Sequence, residues 1–200
     1  MKKLRKTQSE RTETTRAKLC SATLEVIAEI GYEKTTTTMI AKRAGVSRGA
    51  QTHHFPTKFE LVSAAFEYLL QDWEQKRAEA TGNVEQEITA EEYIRFLWKE
   101  IFGHPQYVAS LELMLAGRGD KKLHDSIVKS LREFTVLRQK IWKRILSDSV
   151  PESYHYTLMT LTVCLLRGLS MQSTIEDTNG HESEIIDAWI SIVNGIVKKD

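Results

Sequence analysis

Apolar residues recur at three- and four-residue spacing along most of the 200-residue chain, a pattern typical of amphipathic α-helices. The alternation expected of strands is weak throughout. We therefore predict an all-α protein of nine helices. Their approximate bounds are 12–30, 37–44, 47–54, 58–80, 90–102, 106–116, 121–146, 151–175 and 182–198. Polar residues with Gly and Asn place loops at 81–89 and 176–181.

The last predicted helix carries two apolar stripes side by side, Ile186 to Val197 and Ile185 to Ile196, a face wider than one helix contact requires. One stripe can cover the protomer's own core, whereas an exposed row of Ile, Val and Trp needs a partner. We therefore predict a homodimer through the final two helices. The predicted interface residues are Leu158, Leu161, Leu165, Ile186, Trp189, Ile190, Val193 and Val197.

Charge is unevenly distributed, although the net charge of the whole chain is only +1. Residues 1–60 contain twelve Lys and Arg against six Glu, a net charge of +6. Residues 61–200 contain sixteen basic and twenty-one acidic residues, a net charge of −5. A basic first part suits contact with phosphates, and an acidic remainder would avoid DNA.

The stretch from Thr36 to Lys58 has the pattern helix, tight turn, helix, and then the start of another helix. Thr36 or Thr37 can cap the first helix, and Gly45 can adopt the left-handed conformation that ends it. Ser47 can cap the next helix, and Pro56 stops it before Thr57 caps the following one. This is the arrangement of a DNA-binding helix-turn-helix, whose second helix enters the major groove.

Residues 35–61, TTTTMIAKRAGVSRGAQTHHFPTKFEL, resemble the DNA-binding domain of the TetR family of bacterial regulators. The chain departs from the usual family pattern at Gln51, where Leu is usual, and at Thr52, where Tyr is usual. The resemblance covers about the first third of the chain. It rests on Ile40, Ala41, Ala44, Gly45, Val46, Ser47, Gly49, His54, Phe55, Lys58 and Leu61.

The resemblance also implies which residues contact DNA. Arg48 points toward bases, since its side chain suits guanine O6 and N7, and Gly49 lets the helix backbone approach closely. Two alternatives stay open for Gln51, which is either partly buried or a second base-reading residue. Contacts with the DNA backbone are expected from Thr37, Ser47, Thr52, His53, His54 and Lys58.

In the TetR family the larger helical domain encloses a pocket for a small effector, so the resemblance implies such a pocket here. Pockets of this type are mostly apolar with a few polar groups. Each candidate residue is also a plausible core residue by itself. The candidates are Trp73, Trp98, Phe102, Tyr107, Leu111, Met114, Phe134, Thr162 and Arg167.

Three segments follow: a disordered basic tail at 1–9, a helix-turn-helix domain at 10–57, and an effector-binding and dimerisation domain at 58–200. The tail is either a solvated terminus or a contact to DNA phosphates. Cys20 and Cys164 are read as free thiols in a reducing cytoplasm. We expect no signal peptide, no membrane span, no metal and no cofactor, because the corresponding motifs are missing.

We interpret the chain as a cytoplasmic, homodimeric regulator that binds double-stranded DNA and a small, largely apolar effector, and acts as a repressor. One alternative is a DNA-binding nucleoid or cell-division factor on the same scaffold, without an effector. A weaker one is an enzyme or ligand carrier that has lost DNA binding. No catalytic motif in the sequence supports an enzyme.

Overall fold

The computed structural model describes residues 7–81, 88–146, 150–175 and 180–197. These ranges contain no strand, and the predicted all-α class is confirmed. No helix among them is long and apolar enough to cross a membrane. The helices are α1 (Gln8–Ile30), α2 (Thr37–Ala44), α3 (Arg48–His54), α4 (Lys58–Thr81), α5 (Ala90–Phe96), a π-helix (Leu97–Phe102), α6 (Gln106–Ala116), α7 (Lys121–Leu146), α8 (Glu152–Gln172) and α9 (His181–Val197).

Helix α1 begins four residues earlier than the apolar pattern predicts. Thr7 is its N-cap and forms a reciprocal capping box, in which Thr7 N–H donates to Glu10 Oε2 at 2.7 Å and Glu10 N–H donates to Thr7 Oγ1 at 3.2 Å. A disordered tail over 1–9 is therefore wrong for residues 7–9. The other six residues of that tail lie outside the described ranges, as do 82–87 and 176–179 of the two predicted loops.

The predicted fifth helix changes type at Leu97, where α5 gives way to a π-helix of six residues. Gly103 follows the π-helix and lies close to Trp98, because a Cβ atom on Gly103 would lie 2.9 Å from Trp98 O and 3.1 Å from its indole ring. Only glycine fits at that position without displacing backbone. Short π segments occur mostly as interruptions of α-helices, often at functional sites.

The chain divides into two compact units, and the boundary differs from the predicted one at Lys58. Unit 1 comprises Met1–Gln71 and Ala109–Ser130, and unit 2 comprises Asp72–Val108 and Leu131–Asp200. Helices α4, α6 and α7 therefore contribute one part to each unit. The helix-turn-helix shares its unit with segments that the sequence pattern assigned to the effector domain.

Each unit has its own apolar core, built from the helical stripes. The largest side chains with under 2% exposure in unit 1 are Leu19, Leu24, Ile27, Ile40, Leu61, Phe66, Leu69, Leu113 and Leu123. In unit 2 they are Ile94, Trp142 and Leu146. Burial of such side chains removes apolar surface from water and is the main force holding each unit together.

Candidate functional site

The helix-turn-helix is fixed by three local devices that the sequence predicts. Thr36 Oγ1 accepts a hydrogen bond from Met39 N–H at 3.3 Å and caps α2. Gly45 adopts the left-handed conformation, with φ 65° and ψ 34°. Its N–H bonds to Lys42 O and that of Val46 to Ala41 O, the paired bonds of a Schellman motif. The turn therefore needs glycine, since other residues rarely adopt that conformation.

The third device is Ser47, the N-cap of α3, whose Oγ accepts from Ala50 N–H at 3.1 Å. The helix that follows presents a continuous polar surface to solvent. Of the predicted DNA contacts, Thr37 at the start of α2 and His54 at the end of α3 are half-buried. The exposed predicted DNA contacts are Ser47, Arg48, Gly49, Thr52 and His53.

Arg48 and Arg43 differ in whether their charge is already paired. Arg43 donates from both terminal nitrogens to the Glu29 carboxylate, at 2.7 and 2.6 Å, and these hydrogen bonds raise the pKa of its guanidinium. Arg48, by contrast, is exposed and forms no ion pair with any residue in the described ranges. Its five donors are therefore available to an acceptor outside the chain.

The structure decides between the two alternatives that the sequence leaves open for Gln51. Its side chain is only 2% exposed, and its Nε2 donates to Phe55 O at 2.7 Å. A side chain enclosed in this way has no surface to offer a base, so the base-reading alternative for Gln51 is wrong. The amide closes the C-terminal end of α3 instead, where helix carbonyls lack partners.

Arg16 of α1 secures the same end of α3, a role that the sequence analysis missed. Its guanidinium lies 4.3 Å from the centroid of the buried Phe55 ring, and its Nη1 donates to His54 O at 3.3 Å. Burial lowers the pKa of His54, and the nearby positive charges of His53 and Arg16 lower it further. An arginine three residues before the first buried apolar residue of α1, Leu19, gives no sequence signal of this contact.

Lys58 is half-buried rather than free. Its Nζ donates to Tyr32 O at 2.8 Å and lies 4.0 Å from the centroid of the Tyr32 ring, and burial lowers its pKa. Tyr32 N–H in turn donates to Glu112 Oε2 on α6 at 3.2 Å. A phosphate contact by Lys58 stays a prediction, and it requires the ammonium group to share or leave Tyr32.

Unit 2 contains a cavity of about 10 Å³ among aromatic and charged side chains, roughly the space of one water molecule. Of the predicted pocket residues, Trp73 and Phe134 lie on it, with ring centroids 6.0 Å apart. The complete lining is Trp73, Glu74, Arg77, Tyr93, Phe96, Leu97, Ile101, Phe134, Leu137, Arg138 and Ile141.

The remaining predicted pocket residues lie elsewhere. Leu111 and Met114 belong to unit 1, and Arg167 is exposed, with its Nε donating to Tyr107 Oη at 3.0 Å. Thr162 contributes to helix packing instead of pocket polarity, because its Oγ1 donates to Leu158 O and accepts from Trp189 Nε1, both at 2.9 Å. Trp98, Phe102 and Tyr107 are not on this cavity either, and the last two pack together at 4.7 Å.

The cavity contains two arginines that the sequence analysis did not single out. Arg77 is 7% exposed and pairs with both carboxylate oxygens of Glu74, at 2.8 and 2.5 Å. Arg138 Nε is buried with no hydrogen-bond partner. Their spacing is the signal that could have identified them, since Arg77 follows Trp73 by four residues and Arg138 follows Phe134 by four, each on an apolar stripe.

The two stripes of α9 separate as predicted, but half of the predicted dimer residues face their own protomer. Leu158, Ile186, Ile190 and Val193 are at most 4% exposed, which corrects their assignment to an interface. Leu161 is 48% exposed, and Leu165, Trp189 and Val197 are partly exposed. The outer stripe of α9 leaves Ile185 and Ile192 in solvent, at 40% and 54% exposure.

Comparison with known proteins gives matches to both the sequence and the fold. Residues 19–65 match the family model described as bacterial regulatory proteins, tetR family. The chain is 31% identical over 170 residues to the HTH-type transcriptional regulator CymR of Pseudomonas putida, covering 84% of each protein.

Two solved structures share the fold at low sequence identity. One is a TetR-family transcriptional regulator from Cytophaga hutchinsonii, with a TM-score of 0.72 at 16% identity, covering 98% of this chain and 100% of that one. The other is the multidrug binding protein EbrR complexed with imidazole, with a TM-score of 0.63 at 16% identity, covering 92% and 96%.

These matches agree with the geometry of α2, the Gly45 turn and α3, and with the exposed position of Arg48 on α3. The identity to CymR extends well beyond the helix-turn-helix, since it spans 84% of this chain. The chain belongs to the TetR family of bacterial transcriptional regulators, and it is a helix-turn-helix DNA-binding regulator.

Proposed function

We propose that the protein is a cytoplasmic, homodimeric repressor that leaves a near-palindromic operator when a small effector binds in unit 2. The observation that carries the DNA-binding part is the guanidinium of Arg48 on a capped α3, which is exposed and has no ion-pair partner in the described part of the chain. A fixed helix with a free arginine is suited to reading guanine in the major groove. Ser47, Thr52 and His53 are suited to holding that helix on the phosphate backbone.

The exposed apolar surface of α8 and α9 supports a dimer. Leu161, Ile185 and Ile192 are each at least 40% exposed, and exposed apolar rows on adjacent helices are typical of protein interfaces. Two copies of this helix pair would form a four-helix bundle about a two-fold axis. The same axis would bring two α3 helices to two half-sites of an inverted repeat.

The effector part rests on different support. The multidrug binding protein EbrR, which shares the fold, has been solved with imidazole and with proflavin. An effector would release DNA by binding more tightly to a conformation in which the two α3 helices no longer match the operator.

A second candidate is a DNA-binding factor of the same fold without an effector. The cavity that Trp73 and Phe134 line favours it, because its volume of about 10 Å³ is far below the several hundred Å³ usual for pockets that hold small molecules. Thermal-shift and operator-release screening against the same compounds separates the two candidates. A compound that stabilises the protein and releases the operator supports the repressor.

Selection of binding sites from random duplex DNA tests the proposed function. We expect enrichment of an inverted repeat whose half-sites are separated by about one helical turn, ~34 Å, or a multiple of it. Affinity for the selected site should fall steeply with salt, because phosphate contacts release counterions. Failure to enrich any sequence at low salt would contradict a DNA-binding regulator.

A further inference from the structure

The turn between α1 and α2 is held from two sides by side chains of other helices. Glu112 Oε2 on α6 accepts a hydrogen bond from Tyr32 N–H at 3.2 Å, and Lys58 Nζ on α4 donates to Tyr32 O at 2.8 Å. All three residues belong to unit 1. The backbone N–H and C=O of Tyr32 therefore join an acid on α6 to the first residue of α4.

The carboxylate of Glu112 is packed closely against this turn. A Cβ atom on Gly31 would lie 3.3 Å from Glu112 Oε2, closer than side chains normally approach. The turn's own bonds satisfy carbonyls, since Thr35 N–H donates to Tyr32 O at 3.2 Å and Thr35 Oγ1 donates to Gly31 O at 2.7 Å. They leave the part-buried N–H of Tyr32 to Glu112, and loss of that acceptor would be unfavourable for the turn.

Lys58 is fixed at both ends of its side chain. Its backbone begins α4, where Thr57 and Glu60 form reciprocal N–H···O hydrogen bonds of 3.0 and 3.1 Å. Its ammonium nitrogen lies 4.0 Å from the centroid of the Tyr32 ring. Burial lowers the pKa of Lys58, and the nearby charge of Glu33 opposes that shift. An ammonium group has three donors and Tyr32 O takes one, so others are left for a phosphate oxygen.

We propose that Glu112 is a positioning residue for DNA binding, which acts through Tyr32 to hold the ammonium group of Lys58 in place for a backbone phosphate. A long side chain that is already ordered loses less conformational entropy on binding, so its contact contributes more to affinity. A carboxylate by itself repels phosphates, so a gain in affinity from Glu112 identifies a role of its hydrogen bond. The inference rests on the proposed function in one respect, the contact of Lys58 with a phosphate.

Two substitutions at Glu112 separate its hydrogen bond from its charge. Glu112→Gln and Glu112→Met both remove the negative charge, but only Gln keeps an acceptor for Tyr32 N–H. Glu112→Gln should bind the selected duplex at least as tightly as the wild type, within about two-fold, and Glu112→Met about four-fold or more weakly. Fluorescence anisotropy on the full chain, below the melting transition of each variant, measures both. Equal affinities of the two variants would overturn the proposal.

Removal of Lys58 tests whether Glu112 acts through that residue. Lys58→Met should bind the duplex about ten-fold more weakly, because one phosphate contact is lost. In that background Glu112→Met should change the affinity by less than about two-fold, since the two residues belong to one network. A merely structural role would give the same loss with and without Lys58. Such additive losses, or an unchanged affinity of Lys58→Met, would overturn the positioning role.

The pKa of Lys58, measured by NMR without DNA, reports the surroundings of its ammonium group. In Glu112→Met the turn is released and the ammonium group becomes more exposed, so the pKa of Lys58 should rise toward its ordinary value of 10.5. Glu112→Gln should keep the wild-type value. An unchanged pKa in Glu112→Met would overturn the proposal. If that variant does not fold, Tyr32→Leu, which removes only the ring, decides by the same criterion.

The wild type separates failure of this proposal from failure of the proposed function. A wild type that selects no DNA sequence contradicts the regulator, and the NMR comparison then decides by itself whether Glu112 holds Lys58. A wild type that selects DNA, with equal binding by the two Glu112 variants, contradicts the positioning role alone. The expected result is a loss of affinity in Glu112→Met that depends on Lys58, with a raised Lys58 pKa in the same variant.

Discussion

The two units of this protein place their arginines in opposite environments. In unit 1 the guanidinium of Arg43 is neutralised at the surface by Glu29, and that of Arg48 is exposed and forms no ion pair with the residues that the structure describes. In unit 2 Arg77 and the Nε of Arg138 are buried among aromatic rings. A surface cation is suited to a large, hydrated polyanion such as DNA, whereas a buried one needs an internal partner, as Arg77 has in Glu74.

The units also differ in their exposed apolar surface. Unit 1 exposes the polar face of α3, whereas unit 2 exposes Leu161, Ile185 and Ile192 on two adjacent helices. Unit 1 therefore carries the surface for DNA, and unit 2 carries the one we assign to a second copy. The comparison teaches that the polar surface suited to DNA and the apolar surface we assign to a second copy lie in different units, so each surface can be altered by its own substitutions.

The largest effect is expected from the two faces of α9. Ile190→Asp should destabilise unit 2 by about 4 kcal/mol or more, because Ile190 is 4% exposed and the new carboxylate would be buried without a partner. Ile192→Asp, two residues away at 54% exposure, should cost the fold of the protomer itself no more than about 0.5 kcal/mol, and any further loss should depend on protein concentration because it comes from the lost partner. Circular-dichroism melts measure both values.

The same pair sharpens the assignment of the dimer surface. Ile192→Asp should be a folded monomer in sedimentation velocity, and it should bind the selected duplex about 100-fold more weakly, because the two reading helices are no longer linked. An Ile192→Asp protein that sediments like the wild type and keeps its affinity would show that this stripe is not the interface.

The second effect compares the two arginines of unit 1. Arg48→Ala should weaken binding to the selected duplex by about 1–3 kcal/mol and relax preference at one base position. Arg43→Ala should change the binding free energy by less than about 0.5 kcal/mol, because the guanidinium of Arg43 is already paired with Glu29. Fluorescence anisotropy with single-base variants of the site measures both. Unchanged base preference in Arg48→Ala would rule out its reading role.

A smaller effect is expected at Gln51, where the structure replaces a DNA contact with an internal one. Gln51→Leu should leave base preference unchanged, since the side chain is enclosed. Stability should change by about 1 kcal/mol or less, because Phe55 O loses its donor while the new side chain buries apolar surface. Selection of binding sites, repeated with the variant, is the check. An altered motif would show that Gln51 contacts DNA after all.

The smallest effect is a pH dependence at His54. The pKa of His54 is held below its ordinary value of 6.5, chiefly by burial. The unfolded chain therefore binds the proton first as pH falls, and the contribution of His54 to stability is lost below about pH 6.5. Wild type and His54→Gln should differ by a constant amount above that pH and by a changing one, well under about 1 kcal/mol, below it. A constant difference down to about pH 5 would contradict the shift.

Much of unit 1 could be predicted from the sequence because its signals are local. Thr36, Gly45 and Ser47 act on backbone groups within four residues, so their spacing alone predicts the caps and the turn. Gln51 is the exception, since a polar residue at that helix position is compatible with either the surface or the interior. The interior position of Gln51 is evident only from the structure, in which its Nε2 donates to Phe55 O.

The site in unit 2 could not be predicted in the same way, because its partners come from distant parts of the chain. Aromatic residues recur at the same helical spacing in a core and in a pocket, and it is the family resemblance, not their spacing, that makes Thr162 and Tyr107 pocket candidates. The informative residues were the arginines that interrupt apolar stripes, Arg77 and Arg138. Whether such a residue is paired depends on helix packing, which the sequence pattern does not contain.

The mass of the protein on its selected duplex tests the central claim most directly, since it requires both the reading face of unit 1 and the apolar face of unit 2. Sedimentation equilibrium of the free protein should give about 46 kDa, twice the chain mass of 22.9 kDa. The complex should contain two chains per inverted repeat, and a duplex with one half-site scrambled should bind far more weakly. A free protein of 22.9 kDa that binds a single half-site as tightly as the full repeat would contradict the account.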